Sequence, residues 1–136
     1  MMGNLLMLFG FSWMVVAVVI GLYLGMTHDP HLEKLENIAK QGTLLQYHER
    51  LDAYKWKVTV HAHSFLFSVV NVLIGLSFQK MEYSEVTLAV LASGLMAAAV
   101  MWTVGGLRRN KLLMGLGDML MFAGIVAAAI GLAKTL

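Results

Sequence analysis

The sequence contains no cysteine, a single proline and few charged residues. The lack of cysteine excludes disulfide bonds, thiolate ligation of haem, iron–sulfur clusters and cysteine-type zinc sites. Charged residues make up 13% of the chain, whereas about 25% is typical of soluble domains. The formal net charge of +2 is too small and too localised to indicate a nucleic-acid partner.

Long apolar runs are the most abundant feature of the chain. Hydrophobic residues make up 59% of it, and the mean hydropathy is +0.72. Four runs have the roughly 20 apolar residues that a helix needs to cross a bilayer, namely 5–26, 58–78, 86–107 and 112–132. Runs this continuous exclude the alternating pattern of a transmembrane barrel. We therefore predict an all-α polytopic membrane protein, a four-transmembrane-helix bundle forming one domain over residues 1–136, whose first run is a retained span in the lipid bilayer.

The first connection, residues 27–57, differs from the short turns that join the other runs. It holds ten of the eighteen charged residues. Asp29 and Pro30 are typical of a helix start, as N-cap and first helical residue, and Gly42 can end that helix. A second amphipathic stretch follows in 44–56. We predict that this connection is interfacial and lies on the membrane surface; a solvated helical hairpin is the alternative.

The distribution of lysine and arginine predicts the orientation in the membrane. Eight of the ten lie in the connections 27–57 and 108–111, and only Lys80 and Lys134 lie on the opposite side. We predict that these two connections are cytoplasmic and that both termini lie outside, in the cell inner membrane. The pair Gly105-Gly106 is expected to help the chain turn into its last run.

His63 is the most informative residue, because it lies inside an apolar run. An ionisable side chain at membrane depth is costly and by default marks a functional site. Ligation of a haem iron or another metal is a common role for such an imidazole. Residues two apart on a helix point about 200° apart, so His61 and His63 cannot both ligate one iron. The face of His63 is apolar and suits a porphyrin; it carries Leu66, Phe67, Val70, Ile74 and Ser77. A hydrogen-bonded histidine near the membrane interface is the alternative.

Two polar residues accompany His63 at membrane depth. Asn71 lies about two turns deeper and must find a hydrogen-bond partner, either a bound ligand or a neighbouring helix. Asp118 is the only charge inside any of the four runs and is expected at the depth of His63. It can accept a hydrogen bond from a ligating histidine, act as a general acid or base, or form a salt bridge to Arg108 or Lys111.

The remaining histidines carry no specific pattern. His28, His31 and His48 lie in the first connection, and their spacing is not typical of a metal site. Their roles and that of His61 stay open.

Two short motifs give the chain a resemblance to a known family. Ala62-His63-Ser64 lies near the start of the second run, and Gly115-Leu116-Gly117-Asp118 near the start of the fourth. With four spans of similar length and a long first connection, the chain resembles the styrene oxide isomerases. These are small four-helix membrane proteins that carry haem b, assemble as trimers and convert an aryl epoxide to an aldehyde. The resemblance implies that His63 is the axial haem ligand and that the iron acts as a Lewis acid on the epoxide oxygen.

The chain also departs from that family. The family has an asparagine shortly after its haem histidine, and the nearest counterpart, Asn71, is displaced by about half a turn. The family's third span carries an Asp-Gly pair and a downstream tyrosine that help to bind substrate. Here the region reads Ala92-Ser93-Gly94-Leu95 and then Met101-Trp102-Thr103, so neither the acid nor the tyrosine is present.

Three functions are compatible with these residues. The first is a haem b protein with one axial histidine and an open iron position, which takes a small iron ligand or a small apolar, epoxide-like substrate. Its site residues are His63 as the iron ligand, Phe67, Val70 and Ile74 as cofactor contacts, and Asn71 and Asp118 in catalysis. The second is a b-type electron-transfer subunit, and the third is an accessory or structural subunit without cofactor. Because four helices make a narrow bundle, we expect a homo-oligomer with the haem between protomers.

Overall fold

A computed structural model describes residues 1–134, and this part of the chain folds into helices without any strand. The helices are α1 (Met2–Met26), α2 (His28–Lys40), α3 (Leu44–Ser77), α4 (Glu85–Leu107) and α5 (Lys111–Ala133). A short 3-10 turn, Phe78–Lys80, follows α3. Four of the helices, α1, α3, α4 and α5, are long and apolar enough to cross a membrane. The predicted all-α polytopic fold is confirmed, and each predicted span falls on one of these helices, although α3 begins well before the second predicted span.

The bundle consists of two closely packed helix pairs. α1 packs along α3 and α4 along α5, while contacts between α3 and α4 join the pairs. Glycines permit the close approach that membrane helices need. A Cβ added at Gly10 would lie 2.9 Å from the Ser68 carbonyl oxygen of α3, and one added at Gly117 would lie 2.9 Å from the Ala98 carbonyl oxygen of α4. Because the neighbours are backbone atoms, a side chain at either position would push the helices apart.

The first connection forms a helical hairpin. α3 runs from Leu44 to Ser77 without a break, so residues 44–57 extend about 21 Å beyond the apolar run along the same helix. α2 folds back onto this extension with Leu35 buried. Gly42, at φ +72°, makes the turn between the two helices, as predicted. A segment continuous with a spanning helix leaves the membrane along that helix, so the alternative of a helical hairpin fits this geometry better than a segment lying flat on the membrane surface.

The start of α2 and the end of α4 can each be compared with the sequence expectation. Thr27, and not Asp29, occupies the N-cap of α2, because Thr27 also ends α1 by donating its hydroxyl to the Tyr23 carbonyl oxygen at 2.8 Å. Gly105 helps the turn into α5, as expected: the Asn110 amide donates a 2.8 Å hydrogen bond to the Gly105 carbonyl oxygen, and a Cβ at Gly105 would lie 2.9 Å from the Met114 backbone nitrogen. Gly105 and Gly106 both lie buried inside α4, and Arg109 completes the turn at φ +55°.

A cluster of rings holds the hairpin together. The His31 ring stacks on Tyr54 with ring centroids 4.3 Å apart. Tyr54 also forms a hydrogen bond of 2.8 Å with His28 Nδ1. Burial lowers the pKa of His31, and the nearby positive charges of Arg50 and Lys57 on α3 and of His28 and Lys34 on α2 lower it further.

Acidification is therefore expected to loosen the packing of α2 on α3. Below pH about 6.5 an unfolded His31 binds its proton while the folded one resists it, so stability is lost as the pH falls through that value. Hydrogen exchange of the α2 amides, corrected for intrinsic rates, should quicken as the pH falls below about 6.5. His31→Phe keeps the ring but not the titration, and an equal acid response in this variant would contradict the prediction.

Candidate cofactor site

His61 and His63 lie on different sides of α3, as their spacing predicts. His61 faces α1, where its Nδ1 lies 2.8 Å from the Ala17 carbonyl oxygen. The absent side chain of Gly21 makes room for this ring, since a Cβ there would lie 2.6 Å from His61 Cε1. His63 instead faces α4 and stacks on Trp102, with ring centroids 4.4 Å apart and planes inclined by 8°. The two imidazoles therefore belong to separate sites.

The hydrogen bond of His63 determines which of its nitrogens is available. Nδ1 lies 3.0 Å from the Thr59 carbonyl oxygen, one turn earlier on α3. A carbonyl oxygen only accepts, so Nδ1 carries the hydrogen and donates it. In a neutral imidazole the lone pair then lies on Nε2. Metal-ligating histidines are commonly oriented by a backbone carbonyl in this way, so His63 meets the geometric requirement of an axial ligand.

Aromatic contacts restrict the His63 ring. Trp102 and Phe67 are 2% and 5% exposed, so both are firmly packed. The Phe67 ring is edge-on to His63 at 6.4 Å and to Trp102 at 5.9 Å. A ring held by stacking on one side and by a hydrogen bond to its own helix loses rotational freedom before any ligand arrives. Such preorganisation is what a ligand-binding imidazole needs.

An apolar groove lies between α3 and α5, on the face of α3 that also carries His63. It has a volume of about 320 Å³ and is lined by residues that include Val70, Ile74 and Ser77 of α3. Val70 and Ser77 follow His63 at intervals of seven residues, about two helical turns, but His63 itself does not line the groove. Two of the predicted cofactor contacts, Val70 and Ile74, thus line the groove, and the third, Phe67, packs beside His63.

Asp118 lies on α5 near the level of His63 and does not line the groove. It precedes Ile125, which lines the groove, by seven residues, about two helical turns. Trp102 of α4 contacts both regions. Its ring stacks on His63, and its backbone nitrogen lies 2.9 Å from the Cβ position of Gly117, the residue before Asp118. The expectation of equal depth therefore agrees with the packing of the two helices.

In residues 1–134 Asp118 forms neither the expected salt bridge nor the expected hydrogen bond to His63. Within residues 1–134 the ion pair is Lys40–Glu36, so Asp118 is not bridged to Arg108 or Lys111. Nor is it the hydrogen-bond partner of His63 Nδ1, because the Thr59 carbonyl takes that position. Asp118 is exposed and does not line the groove.

Asn71 is buried elsewhere in the bundle. Its side chain is 0% exposed and lies on the face of Ser64 and Ser68. Ser64 Oγ is 2.8 Å from Thr103 Oγ1, whereas neither polar atom of the Asn71 amide has a partner in the described part of the chain. Asn71 is about 12 Å along α3 and about 80° around it from His63. The structure therefore does not bring Asn71 to the groove, and its expected contact with a ligand there is not seen.

Protein side chains alone do not assemble a metal site in the described residues. No three histidine or carboxylate side chains converge closely enough to hold an ion. His28 and His31 pack on Tyr54, and His48 lies edge-on to Tyr47 at 5.9 Å. This arrangement is compatible with haem, because the porphyrin supplies its own nitrogens and needs as few as one ligand from the protein.

Comparison with known proteins found no match for this chain. No protein-family model matches the chain, and neither does any curated protein or solved structure. The resemblance to the styrene oxide isomerases therefore rests on the residues of this chain alone.

Proposed function

We propose that this integral membrane protein binds haem b through His63 and leaves the opposite position of the iron open. The observation that carries the proposal is the hydrogen bond from His63 Nδ1 to the Thr59 carbonyl oxygen at 3.0 Å, which leaves Nε2 free for ligation. Phe67, Val70 and Ile74 would supply the apolar wall along the porphyrin. The residues are compatible with the group, since a hydrogen-bonded imidazole and the α3 wall of an apolar groove lie on the same helix face.

A single protein ligand is the reason to favour an open iron position. His61 faces α1, and the three other histidines lie in the hairpin outside the apolar runs. A six-coordinate haem would need a second ligand from another protomer or partner, so electron transfer is the less favoured alternative. When bound, haem with an open position supplies Lewis-acid chemistry, which suits the isomerisation of an epoxide-like substrate to a carbonyl compound.

The chain's own residues have distinct parts in that chemistry. His63 orients the cofactor through its fixed ring, and the aliphatic groove walls exclude water from a small apolar substrate. Asp118, the only charge inside the four apolar runs, would accept or return a proton in this proposal. Asn71 is sealed inside the bundle, so its part would be structural and not a contact with substrate.

Assembly would complete the site. In one chain the groove is half-open and the Asp118 carboxylate is exposed, although an uncovered carboxylate at membrane depth is costly. A homo-oligomer would cover both the groove and the Asp118 carboxylate, and the resemblance implies a trimer.

We further propose that both termini lie outside the inner membrane and that residues 27–57 and 108–111 are cytoplasmic, because these connections carry most of the lysine and arginine.

Titration of the detergent-purified protein with haemin tests the proposal. We expect a Soret band that grows to saturation at one haem per chain, because one imidazole per chain is available. Detergent micelles without protein serve as the control for nonspecific uptake. An absorbance change that does not saturate, or that equals the control, would sink the proposal.

A cofactor-free accessory subunit is the second candidate. The exposed carboxylate of Asp118 favours it, since a partner protein would cover this group as well as a second copy would. The same titration separates the candidates, because an accessory subunit would take up no haem while remaining folded.

A further inference from the structure

A second apolar groove lies between α1, α3 and α4 and shares no lining residue with the groove between α3 and α5. Its volume is about 400 Å³. Aliphatic side chains make up much of its wall, among them Val19, Ile20, Leu24 and Val60. Two cationic residues, Lys57 and Arg109, also line it. The groove therefore combines an apolar wall with positive charge.

The positions of these cations along the helices are those of lipid headgroups. Lys57 directly precedes the apolar run 58–78, and Arg109 follows the end of α4 at Leu107. Tyr23 and Trp56 line the same groove, and such amphipathic aromatic residues are enriched at membrane interfaces. The charged end of the groove thus lies at the boundary of the spans, and its aliphatic part lies at the depth of acyl chains.

The groove is held in shape by contacts between its helices. Trp56 Nε1 donates a 2.7 Å hydrogen bond to the Gly106 carbonyl oxygen, which joins α3 to α4. The Lys57 ammonium lies 5.9 Å from the centroid of the Tyr23 ring on α1. Arg109 is held at φ +55°, a backbone conformation that is uncommon for residues other than glycine. The residues around the groove are therefore ordered before a ligand binds.

Neither cation is neutralised by the protein. Among residues 1–134 no carboxylate lies within salt-bridge distance of Lys57 or Arg109. Two unneutralised positive charges close to one apolar groove attract an anion, and Arg and Lys are both common ligands of phosphate.

We propose that this groove binds one anionic phospholipid of the surrounding bilayer. Its phosphate would lie between Lys57 and Arg109, and an acyl chain would lie along the aliphatic wall. Inorganic phosphate would use the cations but not the wall, and a zwitterionic lipid would use the wall without satisfying the excess positive charge. Only an anionic lipid would use both the cations and the aliphatic wall. Basic pockets between membrane helices are known to bind anionic lipid headgroups.

Thermal unfolding of the delipidated protein tests this site. The additives are phosphatidylglycerol, phosphatidylcholine with the same acyl chains, and inorganic phosphate. We expect phosphatidylglycerol to raise the Tm by several degrees more than phosphatidylcholine does, and the double variant K57Q/R109Q to lose this difference. K134Q is the matched control, because Lys134 also lies over a tyrosine ring, that of Tyr83 at 5.5 Å, but outside this groove.

Three results would overturn the proposal. They are an equal gain with both lipids, an undiminished preference in K57Q/R109Q, and a full gain with inorganic phosphate, which would indicate a site for free anions. If the double variant does not fold, native mass spectrometry of the single variants K57Q and R109Q in an equimolar lipid mixture replaces it. Each is expected to retain less phosphatidylglycerol than the wild type, and unchanged retention in both would count against the site.

Discussion

Replacement of His63 by alanine is expected to abolish haem binding, while replacement of His61 leaves it intact. The two imidazoles are two residues apart and each bonds a backbone carbonyl through Nδ1. His61 packs between α1 and α3, whereas His63 stacks on Trp102 of α4. Loss of the single proximal ligand removes the bond that holds the iron. The measurement is the Soret absorbance of each variant after titration with haemin.

The paired variants make this result specific. Both remove an imidazole from the same helix near the same membrane boundary, so a general loss of stability would affect both. A Soret band that survives in His63→Ala but disappears in His61→Ala would move the site to the α1 side of α3. A band that survives in both would show that neither histidine holds the iron.

Replacement of Asn71 by leucine is expected to raise the free energy of unfolding. The Asn71 side chain is fully buried, and among the described residues neither its oxygen nor its nitrogen has a hydrogen-bond partner. An unsatisfied buried polar group costs about 1–3 kcal/mol, and leucine has the same branched arrangement of side-chain heavy atoms without a polar group. We therefore expect a gain of about 1–3 kcal/mol, measured by denaturant unfolding in detergent.

Ser64→Ala is the matched control for this prediction. Ser64 lies on the same face of α3, two turns from Asn71, but its hydroxyl is paired with Thr103 Oγ1 at 2.8 Å. Removing a satisfied group should lower the stability, opposite in sign to Asn71→Leu. Destabilisation by Asn71→Leu would instead mean that the amide bonds a molecule inside the bundle, and it would return Asn71 to a binding role.

The spans could be predicted from the sequence because bilayer thickness fixes the length of an apolar run. The turn at Gly42 could also be predicted, because glycine readily adopts the positive φ that the structure shows there. Gly105 and Gly106 could be assigned only in part. A glycine permits either a turn or close helix packing, and only the contacts show that Gly105 serves the turn into α5 while Gly106 serves the packing of α4 on α3.

The candidate site was predictable only as far as one helix determines it. Helical spacing separated His61 from His63 and placed Val70 and Ile74 on the His63 face. The stacking of Trp102 on His63 depends on how α4 crosses α3, and periodicity contains no information on that crossing. The burial of Asn71 has the same origin, because the sequence does not state which face of α3 the other helices cover.

The most direct test of the one-histidine haem site is the absorption spectrum of the haem-loaded wild type after dithionite reduction, with and without carbon monoxide. The proposed site predicts a five-coordinate ferrous spectrum that shifts at once when carbon monoxide binds the open position. A six-coordinate spectrum indifferent to carbon monoxide would contradict it and favour electron transfer. Absence of any Soret band would contradict it too, and would favour the accessory subunit.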